Sequence, residues 1–189
     1  GTLRSTMVFA VGNPRSEVMF IGEAPGAEEE RQREPFVGPA GQLLTKIIAA
    51  MGAKREDVYI SNICKFRPST GEGQGSGNRQ PSKDEMNVCL PYIRTEISLI
   101  RPRVIVALGA TASTGLGIEG PVGRLRGKFQ AFDGVPVMII YHSLYLLCQE
   151  AEGRGNEAKR AVWEDLLQVM ERLGWPISEK QRGYFKSKA

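Results

Sequence analysis

The sequence is poor in the residues that build metal centres and disulfide frameworks. It has three cysteines, Cys64, Cys89 and Cys148, odd in number, widely spaced and without a CxxC. That excludes a disulfide framework and makes a reducing cytoplasm the simplest setting. Three thiols are also too few for a Cys₄ zinc or iron–sulfur site. No apolar run approaches the roughly 20 residues of a membrane span. The opening GTLRSTMVFA is too short and too weakly apolar for a secretory leader. G-x-x-x-x-G-K-S/T does not occur, and G-x-G-x-x-G does not follow the first apolar run, so neither of those nucleotide-phosphate loops is present. There is one histidine, His142, and a lone histidine is more often structural than catalytic.

What is present suits one compact domain. A chain of 189 residues, 41% of them hydrophobic, can bury a real core. The net charge of +4 permits a polyanionic partner without demanding one. Four short runs rich in β-branched residues, VMFIG (18–22), VYISNI (58–63), RVIVALG (103–109) and VPVMIIY (135–141), read as strands buried on both faces. Helical patterns separate them. Residues 38–52 carry Leu43, Leu44, Ile47 and Ile48 on one face and end at Gly52. Residues 81–100 open with a capping box, Ser82 and Glu85, and contain Pro91, expected to kink or break the helix. Residues 110–117 suit a short helix, and 156–174 give the clearest amphipathic one. The alternation predicts a three-layer α/β/α sandwich around a central, mainly parallel four-stranded sheet. The domain is expected over 1–176, with a basic, loosely held tail over 177–189 and a flexible Gly-rich loop over 67–81. No internal repeat is found.

Ligands of open α/β sheets bind beyond the carboxyl ends of the strands. After the first strand come Gly22, Glu23, Ala24, Pro25 and Gly26, then Glu28, Glu29 and Glu30. Asn62 ends the second, Gly109-Ala110-Thr111 follows the third, and His142 follows the fourth. Parallel strands put Glu23, Asn62 and His142 on one rim. Each also suits an ordinary role: Asn62 a strand-end turn, the glutamates a solvated loop, the glycines a tight turn. Phe36, in a Pro- and Gly-flanked loop, suits a core plug or a platform for a planar ligand. GRLRGK (123–128), with Arg124, Arg126 and Lys128, and the pair Asn78-Arg79 are candidates for phosphate contact, although charge runs are usually just solvated.

The ordered set GEAPGAEEE, EPFVGPAGQLL, VYISNICKFRP, GNRQP, RPRVIVALGATA, GRLRGK and YHSLYLL resembles the uracil-DNA glycosylases, most closely the bacterial and archaeal group called family 4. The match runs from about Val18 to Leu173. The resemblance implies a glycosylase α/β/α fold and removal of uracil from single- or double-stranded DNA, leaving an abasic site. It also implies a monomer at the nucleoid of a bacterial or archaeal cytoplasm. Glu23 would then position or activate water, with Glu29 a weaker candidate beside it. Gly22 and Ala24 would line the base pocket, Phe36 would stack on the extruded base, Asn62 would read its edge, and His142 would contact uracil O2. Asn78, Arg79, Arg124, Arg126, Lys128, Ser143, Leu144 and Tyr145 would meet DNA. The same scaffold also suits excision of hypoxanthine or xanthine, given Ala24 and the 143–144 pair. A lesion binder without turnover and a free-nucleotide enzyme are the other readings.

Three departures stand out. The family typically holds an iron–sulfur cluster on four cysteines: an N-terminal CxxC, one in a KCRP segment and one in the next helix. Here Phe66 occupies the KCRP slot, Cys89 matches the last ligand, and no CxxC is present. Cys64 is expected to point to the opposite side of that slot, and no cluster or other cofactor is expected. The 67–81 segment is longer than the family's linker. The last motif, usually His-Pro-Ser or His-Pro-Ala, reads His142-Ser143-Leu144, which frees φ and restores an N–H at 143. Leu144, Tyr145 and Leu146 are the residues left to enter the minor groove as an apolar wedge.

Overall fold

The four buried runs lie side by side as parallel strands. The computed structural model describes residues 2–71 and 77–186. Among them are eight strands: β1 (Leu3–Met7), β2 (Val11–Gly12), β3 (Val18–Gly22), β4 (Tyr59–Asn62), β5 (Phe66–Pro68), β6 (Val104–Leu108), β7 (Phe129–Phe132) and β8 (Val135–Ile140). The helices are α1 (Ala27–Gln32), α2 (Pro39–Ala50), α3 (Lys83–Ile100), α4 (Ala110–Gly115), α5 (Val122–Leu125), α6 (Ser143–Ala151), α7 (Gly155–Leu173) and α8 (Glu179–Arg182).

The main sheet has the order β2-β4-β3-β6-β8-β7. Its four inner strands are the expected ones and are parallel, so the α/β/α layering holds. The sheet is nonetheless six strands wide rather than four, because β2 and β7 add antiparallel edges. β7 joins β8 through Asp133 and Gly134, both left-handed (φ 46° and 79°), as a two-residue hairpin turn requires. Strand alternation sorts the core into two layers. Val18 and Phe20 of β3 face the cluster with Leu44 of α2, Leu146 of α6 and Leu166 of α7. Met19 and Ile21 face Cys89, Ile93 and Ile97 of α3.

Three other expectations are corrected. α3 runs unbroken through Pro91. Pro91 and Asn87 lie on the solvent face, where water can take the carbonyl that the proline leaves without an N–H partner. The tail is packed down as far as Phe185 rather than loose, and residues 187–189 lie outside the described residues. Ser178 and Gln181 form a capping box for α8, Trp163 Nε1 donates to Gln181 O (2.7 Å), and Gln181 Nε2 donates to Ala50 O (2.9 Å). Tyr184 packs its ring on Trp163 at 5.1 Å and Phe185 joins the core, so apolar anchors outweigh the basic composition. The 67–81 segment begins in β5, which pairs with β1, and its described ends are tied down. Arg67 donates to Gly77 O (2.8 Å) and Arg79 to Ser69 O (2.7 Å); residues 72–76 lie outside the described residues.

Candidate active site

The carboxyl ends of β3, β4, β6 and β8 open onto a cavity of about 660 Å³, a size suited to a small ligand. Gly22 is its pivot. It ends β3 directly beside Asn62 of β4. A Cβ on Gly22 would lie 2.3 Å from Phe36 Cζ and 2.5 Å from Asn62 Oδ1, so only glycine leaves room for both. Phe36 has a left-handed backbone (φ 54°), uncommon for an aromatic residue. Gly41 of α2 lies against it so closely that a Cβ there would be 2.0 Å from Phe36 C and O. Phe36 is therefore held by two glycines, Gly22 against its ring and Gly41 against its backbone, and the ring lies 5.9 Å from the His142 ring with 29° between planes.

His142 leaves β8 and caps α6. Its Nδ1 accepts the Leu144 N–H at 3.0 Å. An acceptor at Nδ1 assigns the neutral ring's proton to Nε2. Burial holds the imidazole pKa below its ordinary 6.5, so the ring is neutral at physiological pH. Gly109 (φ 92°) lies against it; a Cβ there would come within 3.2 Å of the His142 Cβ.

Burial pushes the Glu23 carboxyl above its usual range, and a hydrogen bond with Thr111 opposes the shift. Thr111 comes from the first turn of α4, and sequence reading noted its place after a strand but not this task. Glu29 is on α1, a helix rather than the expected loop, near Gly26 and Gly38 at the starts of α1 and α2: Cβ atoms there would be 3.3 and 3.7 Å from its oxygens. Its neighbours are paired with arginines. Glu28 pairs with Arg31 at the surface, and Glu30 holds Arg4 at 2.8 Å and Arg67 at 3.6 Å. The cavity thus brings together Glu23, Ala24, Glu29, Phe36, Asn62 and His142.

The outer candidates divide. Leu144 (56% exposed) and Tyr145 (42%) stand beside the cavity, Tyr145 stacked on Tyr141 at 4.8 Å. Arg124 and Lys128 are exposed. Asn78 lines the cavity, with Oδ1 accepting from Arg67 Nε at 3.3 Å. Three other expected DNA contacts are buried or engaged within the fold. Ser143 is buried at the first position of α6, its Oγ without a hydrogen-bond partner among the described residues. Arg126 is committed to Asp165 by two bonds of 2.9 and 3.0 Å and to Ala161 O at 2.9 Å. Arg79 lines the cavity, yet its guanidinium is engaged by Glu85 (2.7 and 2.9 Å), Ser69 O and Thr2 O. Leu146, offered as part of a wedge, is instead in the core.

The thiols follow their own logic. Cys64 and Cys89 are both buried and hydrogen-bonded to each other, and that bond with burial raises the Cys64 pKa. Phe66 packs edge-on against Tyr92. Cys64 and Phe66 therefore both face α3, as residues two apart on an extended chain do, not opposite sides as expected. Among the described residues no three His, Cys, Asp or Glu side chains converge as a metal site, and a phenyl ring has no ligating atom. The residues present do not fit a four-thiolate cluster.

A carboxylate, an amide, an imidazole and an aromatic face gathered at the ends of parallel strands define an α/β/α protein with a pocket for a planar polar ring. The chain belongs to the Uracil DNA glycosylase superfamily, which it matches over residues 9–167. It is 39% identical over 166 residues to a type-4 uracil-DNA glycosylase of Thermotoga maritima, covering 86% of this chain and 81% of that protein. Type-4 enzymes of Archaeoglobus fulgidus and Saccharolobus solfataricus are also 39% identical, over 153 and 181 residues, covering 76% and 90% of this chain and 73% and 77% of theirs.

Proposed function

We propose that this chain is a monofunctional uracil-DNA glycosylase that takes uracil out of the DNA stack and hydrolyses its N-glycosidic bond. The observation that carries the reading is the arrangement around Gly22, where Phe36 offers a stacking face beside the Asn62 amide. A duplex hides the glycosidic bond, so the nucleotide must be extruded. The Asn62 side chain accepts from uracil N3–H and donates to O4. Cytosine presents the reverse pattern there, and an unsatisfied buried pair costs about 1–3 kcal/mol.

As the bond from sugar C1′ to uracil N1 breaks, its electron pair passes to the base and spreads onto O2. The neutral His142 ring donates its Nε2 proton as a hydrogen bond to that oxygen, in the manner of an oxyanion hole. Ionised Glu23 stabilises the positive sugar and takes a proton from the water that adds to C1′. The base leaves as the uracil anion and takes a proton from solvent at N1, Glu23 returns its proton to water, and an abasic site remains. Leu144 and Tyr145 press into the gap left in the duplex, while Arg124 and Lys128 meet phosphates. These steps use side chains and water only. Phe66 in the family's ligand slot supports catalysis without an iron–sulfur cluster, acting as a monomer on single- or double-stranded DNA in a bacterial or archaeal cytoplasm.

The test is release of base from oligonucleotides carrying one uracil, hypoxanthine or xanthine, followed by alkaline cleavage of abasic sites. Breaks at uracil support the reading, breaks at another base alone move the specificity, and no breaks refute it. Iron analysis and a visible spectrum test the cluster-free form; a 4Fe–4S absorbance band would overturn it.

A further inference from the structure

Behind Asn62, on the side of the sheet away from the cavity, lies a buried polar assembly that the proposed chemistry does not use. Lys65 is 2% exposed. Its ammonium turns back along the chain to donate to Asn62 O (2.9 Å), to Ser61 Oγ and to Glu96 of α3 (2.7 Å). Glu96 also accepts from Ser61 Oγ (3.0 Å) and from Tyr59 Oη (3.1 Å). One carboxylate on α3 therefore gathers Tyr59, Ser61 and Lys65, the last of which holds the carbonyl of Asn62.

The position of that carbonyl matters. At Asn62 the strand ends, and Lys65 serves the last carbonyl of β4. The next amides bond to the end of β3 and the residue after it: Ile63 N donates to Gly22 O (2.9 Å) and Cys64 N to Glu23 O (3.0 Å). The peptide that follows the Asn62 side chain is thus held at both ends, its oxygen by Lys65 and its N–H by Gly22. Side-chain direction follows the backbone plane, and small displacements of a reading group are costly.

The geometry points to Lys65, anchored by Glu96, as a positioning residue that fixes the Asn62 amide for base reading. This rests on the uracil-DNA reading above. The ammonium is buried and touches Asn62 only through its backbone, so it acts through Asn62 and not on DNA.

The test compares wild type, Lys65→Met, Lys65→Met/Glu96→Gln and Asn62→Ala in single-turnover release of uracil, with melting temperature and amide hydrogen exchange measured on each. Lys65→Met leaves Glu96 without its cation and is expected to lower both melting temperature and rate. The double variant removes that orphaned charge. It is expected to recover melting temperature while the rate stays about tenfold to a hundredfold down, the range for a lost hydrogen bond to a charged group, with KM for DNA unchanged. Added to Asn62→Ala, the same pair of changes is expected to lower the rate by less than about threefold, because groups acting through one residue are not additive. Recovery of the rate with melting temperature, or a full multiplicative loss on top of Asn62→Ala, would overturn the assignment. Exchange at the Ile63 and Cys64 amides is expected to quicken at least tenfold in the double variant, and unchanged exchange would also overturn it. A wild-type protein inert on uracil would instead sink the functional reading, and the exchange result would still decide whether Lys65 holds this peptide.

Discussion

Replacing Gly22 with alanine adds one methyl group where there is no room for it. That Cβ would lie 2.3 and 2.7 Å from two atoms of the Phe36 ring and 2.5 Å from Asn62 Oδ1, whereas ordinary contact begins at 3.4 Å. Both side chains must therefore move by about 1 Å or leave their rotamers. The ring cannot simply withdraw, since Gly41 presses on the Phe36 backbone from the other side. Gly22 itself is not among the residues of positive φ, so the perturbation is steric and not conformational. Overpacking of this kind costs about 1–3 kcal/mol of stability. Loss of base stacking costs about 1–3 kcal/mol and a misaligned amide about 1–3 kcal/mol. Together they raise the barrier by about 2–6 kcal/mol, a rate loss from about 30-fold to about 10⁴-fold. The assay is single-turnover uracil release, with melting temperature measured in parallel. A folded Gly22→Ala protein within threefold of wild-type rate would refute the idea that the ring and the amide are read together.

Further outcomes follow from the same geometry. Catalysis needs ionised Glu23, whose pKa burial raises above 4.5, so the rate should climb with pH along an acid limb above the usual carboxylate range. Thr111→Val removes the opposing hydrogen bond and should move that limb higher, whereas Glu23→Gln should abolish it. The sign for folding is opposite. The native state holds this proton more tightly than the unfolded chain, so ionising Glu23 removes stability as pH rises from 4.5 through the raised value. Ser143→Ala removes a buried hydroxyl with no partner among the described residues and should raise stability by about 1–2 kcal/mol in thermal denaturation. Arg126→Ala leaves Asp165 buried without its cation and should cost about 3–5 kcal/mol of stability. The salt dependence of its DNA binding should stay unchanged. Lys128→Ala should do the reverse, lowering the salt slope with stability intact.

The inner fold was legible because its strands are fully buried. Val18–Gly22 and Val104–Leu108 are buried at every position and read as continuous apolar runs. The edges were not. β2 is two residues long, and β7 carries the alternating, half-buried sequence Phe129-Gln130-Ala131-Phe132. The Asp133-Gly134 pair after β7 is a hairpin signal, but it follows a basic run and a strand that does not read as a continuous apolar run. The rim of Glu23, Asn62 and His142 was legible because parallel strands end together. Composition could not tell which basic side chains stay free. Arg126 meets a carboxylate 39 residues away, and Lys65 looked like any charged residue before the fold closed over it. Ser143 and Leu144 are adjacent, but one helical step separates a buried position from an exposed one.

The Leu144 N–H that caps His142 has a consequence for how such a protein searches DNA. The bond is made within the chain by a backbone N–H two residues on, so the neutral imidazole carries its proton on Nε2 whatever base it meets. Inspection then requires no tautomer exchange. The same amide belongs to the residue exposed at the rim. A bump in the duplex that pushes Leu144 outward would loosen the cap and blur the proton's address. Contact with the lesion site and readiness of the donor are thus recorded at a single backbone nitrogen.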